Sequence, residues 1–202
     1  MALHSKTSFY SQRSSTEPPA FNTMINGLAA PTRNLTALAR EERHFTFSHF
    51  TCEHAWVIGN ILRNALRTAD CACLIDISLP ALTLFHAPSM PGVMPDSELW
   101  VQKKKNTVLR WGHSTWYMGC AFDWDYKRFA EYHAMSGDEW AKYTIEGGGY
   151  PVFVKGVEGS VGSIVVVGVD SEQAHGLVVQ AIKEYRELRE GAKGLPKSMS
   201  MS

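Results

Sequence analysis

Residues 160–169, SVGSIVVVGV, constrain this chain more than any other stretch. β-Branched side chains crowd the preceding turn of a helix but pack well on a pleated surface, so the run predicts a buried strand. A second strand over 150–155 precedes it across the turn at 156–159, and together they form a hairpin. Upstream, CACLIDISL (71–79) predicts a strand with Cys71, Cys73, Ile75, Ile77 and Leu79 on one face. Leu74, Asp76 and Ser78 fall on the other face, where Asp76 is expected as a solvated or hydrogen-bonded surface residue rather than a catalytic one. LTLFHA (82–87) returns across Pro80-Ala81, a turn without the Asn-Gly that tight hairpins favour. HFTFSHF (44–50) predicts a short edge strand. Strands grouped as hairpins, with helices between the groups, define an antiparallel sheet flanked by helices. The class is α/β of the α+β type. Gly147-Gly148-Gly149 matches neither GxxxxGK[ST] nor GxGxxG and no helix follows it, so close backbone packing is its expected role.

Three helices stand out. Ala55, Ile58, Gly59, Leu62, Ala65, Leu66 and Ala69 recur at helical spacing behind a Thr51 cap. The central helix begins at Asp96 and stops at Gly112. The last starts from the Asp170-x-x-Gln173 capping box and runs Ala174, Leu177, Val178, Ala181, Ile182, Tyr185, Leu188. Residues 121–145 are helical with a break near Ser136-Gly137. Residues 1–42 lack periodicity and read as a flexible tail dispensable for folding, 43–189 as one domain, and 190–202 as a polar C-terminal tail.

Twenty basic and twenty acidic residues balance, which leaves no field for nucleic acid or anionic lipid. No apolar run approaches the ~20 residues of a membrane span. Cys52, Cys71, Cys73 and Cys120 show no CxxC, and the histidines no HxH or HExxH, so neither a disulfide framework nor a metal site is expected. A reducing, cytoplasmic setting follows; the acid-poor, Ser- and Arg-bearing start allows an organelle transit peptide as the alternative.

Chemistry concentrates in residues 94–120, MPDSELWVQKKKNTVLRWGHSTWYMGC, which hold three of the six tryptophans. Trp100, Lys104, Thr107 and Trp111 share a helical face, and a lysine inside that stripe is either a snorkelling cation or one aimed at an anionic ligand. Arg110, His113 and Ser114 complete the expected ligand-binding surface, with His113 as the general acid/base. His86 and His175 read as structural.

PDSELWVQKKKNTVLRWGHSTWYMG, with LIDIS and LFHA before it and GGGYPVFVKGVEGSVGSIVVVGVDSEQAHGLVVQAI after it, resembles the GlcG/HbpS-like haem-degrading-domain family and its UPF-class relatives. The resemblance spans residues 43–189. It implies a profilin-like sheet flanked by helices, a homo-oligomer, haem as a cofactor, and Thr107 as the residue matching a threonine near the iron. The family supplies no universal catalytic set, and Pro80-Ala81 departs from its glycine-containing turn.

Three functions compete. A binding protein would hold a small planar or anionic ligand with charge from Lys104, Arg110 and His113 and flat apolar walls from Trp100, Trp111 and Trp116. A metabolite-tailoring enzyme would use Lys104, Thr107 and His113. An interaction scaffold would bury the aromatics against a partner.

Overall fold

The computed structural model describes residues 27–193. In chain order it contains α1 (Leu35–His44), α2 (Cys52–Thr68), β1 (Leu74–Leu79), β2 (Leu82–Pro88), α3 (Ser97–Trp111), α4 (Thr115–Phe122) and α5 (Tyr126–Tyr132). A 3-10 turn (Glu139–Lys142), β3 (Gly149–Val152), β4 (Gly162–Val167) and α6 (Ser171–Lys193) complete it. The strands form one antiparallel sheet in the order β2-β1-β4-β3. Both predicted hairpins are therefore present, and β1 and β4 join them at the centre.

Strand alternation sorts the side chains. Cys73, Ile75, Ile77, Ile164 and Val166 face α2 and α6 in the main core, with Ile58, Leu62, Val178 and Ile182 against them. Leu74, Val165 and Val167 face the other way, onto Val101 of α3. A third apolar cluster, Met118, Phe122, Phe129 and Ile145, holds α4 and α5 together. The result is a sheet sandwiched by helices, the profilin-like arrangement.

Three expectations need correction. The segment 44–50 forms no strand: His44 ends α1, and only Phe47 bridges the sheet, donating to Phe153 O at 2.8 Å and accepting from Lys155 N at 2.9 Å. Phe45 and Phe47 instead turn into the core. The expected tail over 1–42 is in its last part a structural element, because α1 buries Leu38 and Glu42 completely or nearly so (0% and 1% exposed). Two buried positions four apart on one helical turn are too few for periodicity to detect. Residues 1–26 of that tail and 194–202 of the C-terminal one lie outside the described residues. Leu188, placed on the apolar face of the last helix, is exposed, since α6 extends past the sheet it packs on.

Candidate functional site

The three consecutive lysines of α3 go to three different places, because successive helical residues project about 100° apart. Lys103 lies over the Trp100 ring at 5.1 Å. Lys104 is buried (5% exposed) and donates from Nζ to Gly147 O at 2.6 Å and Val166 O at 3.0 Å. Lys105 reaches Ser78 Oγ at 3.0 Å and Asp76 Oδ1 at 3.5 Å. Burial pulls the Lys104 ammonium down to about 8, against the opposing pull of Glu146 and Cys73. The triple glycine makes this possible. At Gly148 φ is +110, a value that favours glycine, and a Cβ there would stand 2.7 Å from Lys104 Nζ and 2.6 Å from Val166 O.

Lys104 forms part of the wall of a groove of about 1510 Å³. Its aromatic walls are Trp100, Trp116 and Trp124, with Val167 and Val169 beside them. Arg33 lies over the Trp116 and Trp124 rings at 5.9 and 5.1 Å. The expected cationic lining is not found: five acids, Asp70, Asp96, Glu146, Asp170 and Glu172, stand against Arg33 and Lys104. Several acids are already engaged. Asp96 sits at the cap position of α3 without capping it and accepts from Trp100 Nε1 at 3.1 Å. Asp170 accepts the Gln173 N–H at 2.9 Å, as its capping role predicts, and Glu146 accepts from Ser171 Oγ at 2.6 Å.

Of the residues expected to share one ligand surface, Trp100, Lys104 and Trp116 line this groove and the others do not. Thr107 is fully buried, donating to Thr144 O at 2.8 Å and accepting from Thr144 N at 3.0 Å. Arg110 pairs with Glu139 at 2.7 Å and donates to Tyr143 Oη at 2.8 Å, fastening the 3-10 turn. Trp111 packs on Phe129, His133 and Tyr143. His113 Nδ1 lies 2.7 Å from Glu42 Oε2 and its ring stacks on Tyr117 at 3.9 Å. Ser114 is the buried N-cap of α4, accepting from Tyr117 N and donating its own N–H to Glu42 Oε1 at 2.8 Å. Helical spacing places Lys104 and Thr107 together, but neighbouring segments take them in different directions.

One cluster escaped the sequence reading. Asp76 is 2% exposed and accepts from Ser78 Oγ at 2.5 Å; His86 Nδ1 is 2.9 Å away, and His86 Nε2 is 2.8 Å from Glu98 Oε1. Burial lowers the pKa of His86, but hydrogen bonds to Asp76 and Glu98 outweigh it and the net shift is upward. The imidazole thus joins β1, β2 and the first turn of α3. The available signal was Asp76-x-Ser78 on the face opposite the main core, opposite a lysine run with a cation to spare. Among the described residues no group of three or more His, Cys, Asp or Glu side chains could hold a metal ion, and no helix is long and apolar enough to cross a membrane.

A four-stranded antiparallel sheet with helices on both faces and a groove at one end of its central strands defines a profilin-like α+β domain. The chain belongs to the family described as haem degrading protein HbpS-like, whose model matches residues 50–183. It is 35% identical over 157 residues to a UPF0303 protein of Streptomyces avermitilis, spanning 78% of this chain and 93% of that protein. A UPF0303 protein of Rhizobium etli is 33% identical over 149 residues, spanning 74% and 87%. Among solved structures, the Ybr137w protein superimposes with a TM-score of 0.69 at 27% identity, over 78% of this chain and 90% of that one. HbpS superimposes with a TM-score of 0.51 at 21% identity, over 69% and 91%, a likeness of fold. The match to the family model begins after α1.

Proposed function

We propose that this chain is a homo-oligomeric binding protein for a small, flat molecule held in the groove between Trp100, Trp116 and Trp124. The observation that carries this reading is Lys104. An ammonium has three N–H groups, and two are spent on the Gly147 and Val166 carbonyls. Among the described residues the third has no partner, which leaves a donor in an aromatic-walled groove for one acceptor atom of a ligand.

The family description names haem, and the tryptophan walls would suit a flat macrocycle. The donor set does not. Among the described residues no histidine lines the groove; the sulfur groups there are Met94, exposed, and Cys71, whose thiol burial pushes up and away from the thiolate form. Two propionates would meet five acids and only Arg33 as a cation not already buried. The groove residues therefore do not fit haem, and the ligand they favour is planar and uncharged or cationic, not the anion expected from the lysine alone.

Self-association is assigned to the sheet edge, outside the aromatic stretch that follows Met94. Trp111, Phe122 and Phe129 are absorbed by the chain's own third cluster. Trp56 and Leu82, in contrast, are 61% and 59% exposed beside the free edge strand β2. A free edge flanked by apolar side chains is a natural seam between copies.

Native mass spectrometry of the purified protein tests both parts. The expected result is an assembly with a retained small molecule, which Lys104→Met releases without changing the subunit count. Loss of a charged hydrogen bond weakens binding by about 1.5–3 kcal/mol, roughly 10- to 150-fold. A 22.5 kDa monomer refutes the oligomer. A molecule retained equally by both proteins refutes the assignment of Lys104.

A further inference from the structure

A second recess, of about 510 Å³, shares no residue with the groove. Phe47 and Tyr185 form its apolar part; His49, His54, Arg186 and Arg189 surround it, with Glu190 as the one acid in its wall. We propose that it binds a small organic acid, with the carboxylate on His54 Nε2 and the two guanidiniums and a flat apolar body on Phe47 and Tyr185.

His54 carries the inference. It lies in the first turn of α2 and is only 5% exposed. Its Nδ1 accepts from Thr51 N at 3.2 Å and contacts Thr51 Oγ1 at 2.8 Å, so the ring proton belongs on Nε2. Among the described residues that Nε2 has no hydrogen-bond partner. His54 lines the recess, so this unspent donor is available to a ligand held there.

The surroundings are arranged for an anion. Arg186 donates to Thr46 O at 3.3 Å and lies over the Phe45 ring at 5.2 Å, which fixes its guanidinium while leaving further N–H groups unspent. Arg189 Nε donates to Tyr185 Oη at 3.1 Å, fixing the second. Held guanidiniums lose little freedom on gripping a carboxylate. The N-terminus of α2, a 17-residue helix, adds its positive dipole end on the same side as His54. Burial, with His49 and Arg189 nearby, holds the His54 pKa below its usual value, while Glu53 opposes them more weakly. The imidazole is then a neutral donor at neutral pH, and the two arginines supply the charge.

The test uses the full-length protein labelled with 15N-histidine, titrated at fixed ionic strength with benzoate, acetate and inorganic phosphate. The expected result is a saturable shift of the His54 Nε2 resonance, with benzoate binding more tightly than acetate or phosphate. Arg189 is exposed, so Arg189→Met keeps the fold and should weaken benzoate by about tenfold, the loss of one charged hydrogen bond. Lys104→Met touches no residue of the recess and should leave this titration unchanged, so the two sites fail or stand separately. The proposal is overturned if no shift saturates, if Arg189→Met changes nothing, or if all three anions act equally. That last pattern means adventitious ion binding to surface charge only.

Discussion

Glu42→Ala puts the most weight on a feature the sequence hid. The Glu42 carboxylate is 1% exposed and serves two donors, Ser114 N–H at 2.8 Å and His113 at 2.7 Å. Alanine leaves the Ser114 amide, itself fully buried, without an acceptor at the head of α4. An unsatisfied buried donor costs about 1–3 kcal/mol. The His113 contact adds less than about 1 kcal/mol, because that side chain is 30% exposed and water replaces the carboxylate. The sum is about 1–4 kcal/mol, or roughly 2–16 °C in melting temperature for a chain of this size. Urea unfolding at one fixed protein concentration measures it, since oligomers shift with concentration. Glu42→Gln is the control: its amide oxygen still accepts from Ser114 N–H and its amine still faces His113 Nδ1, so it should cost less than about 1.5 kcal/mol. The reasoning fails if Glu42→Ala unfolds within about 0.5 kcal/mol of the wild type, the range of an ordinary surface change. It fails equally if the glutamine variant is as damaged as the alanine one.

Starting the chain at Glu41 removes fully buried Leu38 and the Thr32 carbonyl that accepts from Trp116 Nε1 at 3.0 Å. That truncation should lower stability by at least about 2 kcal/mol, the low end for losing a buried leucine, read from the urea midpoint. The His86 pKa is raised above its ordinary 6.5 in the folded chain, so the tie to Asp76 and Glu98 is fully present below 6.5 and is lost as pH climbs through the raised value. The urea midpoint should therefore fall as pH rises above about 6.5, and His86→Gln should flatten that fall; an unchanged slope would refute it. Gly148→Ala forces a Cβ against Val166 O at a φ of +110, whereas Gly112→Ala, at φ +67, meets nothing within 4 Å. The first should cost well over about 3 kcal/mol and the second about 1 kcal/mol, so equal melting shifts for the pair would contradict the packing described.

Sheet topology was legible because alternation and β-branching are local signals. Ile164 and Val166 face one way and Val165 and Val167 the other, as a period of two requires. The site was legible only in part, because it depends on which distant segment meets each side chain. Lys104 stood out as a cation in an apolar stripe, and it is buried at a groove. Thr107 and Trp111 looked equivalent to it by spacing, yet residue 144 claims the first and the α5 cluster the second. Asp76 was misjudged for the same reason: nothing in CACLIDISL announces that Lys105 and His86 will cover it. The helix α1 was missed because two buried positions make no period.

The groove is assembled from the ends of elements: residues 70–72 ahead of β1, the approach and first turns of α3, and the bend from β4 into α6. None of the main-core residues named above lies in its wall. Substitution at Met94, Asp70 or Glu172 thus alters what the groove accepts without disturbing the packing that decides whether the chain folds. Such a scaffold can vary its groove while its sheet stays superimposable, so a shared fold across this family speaks for shared architecture and not for a shared ligand.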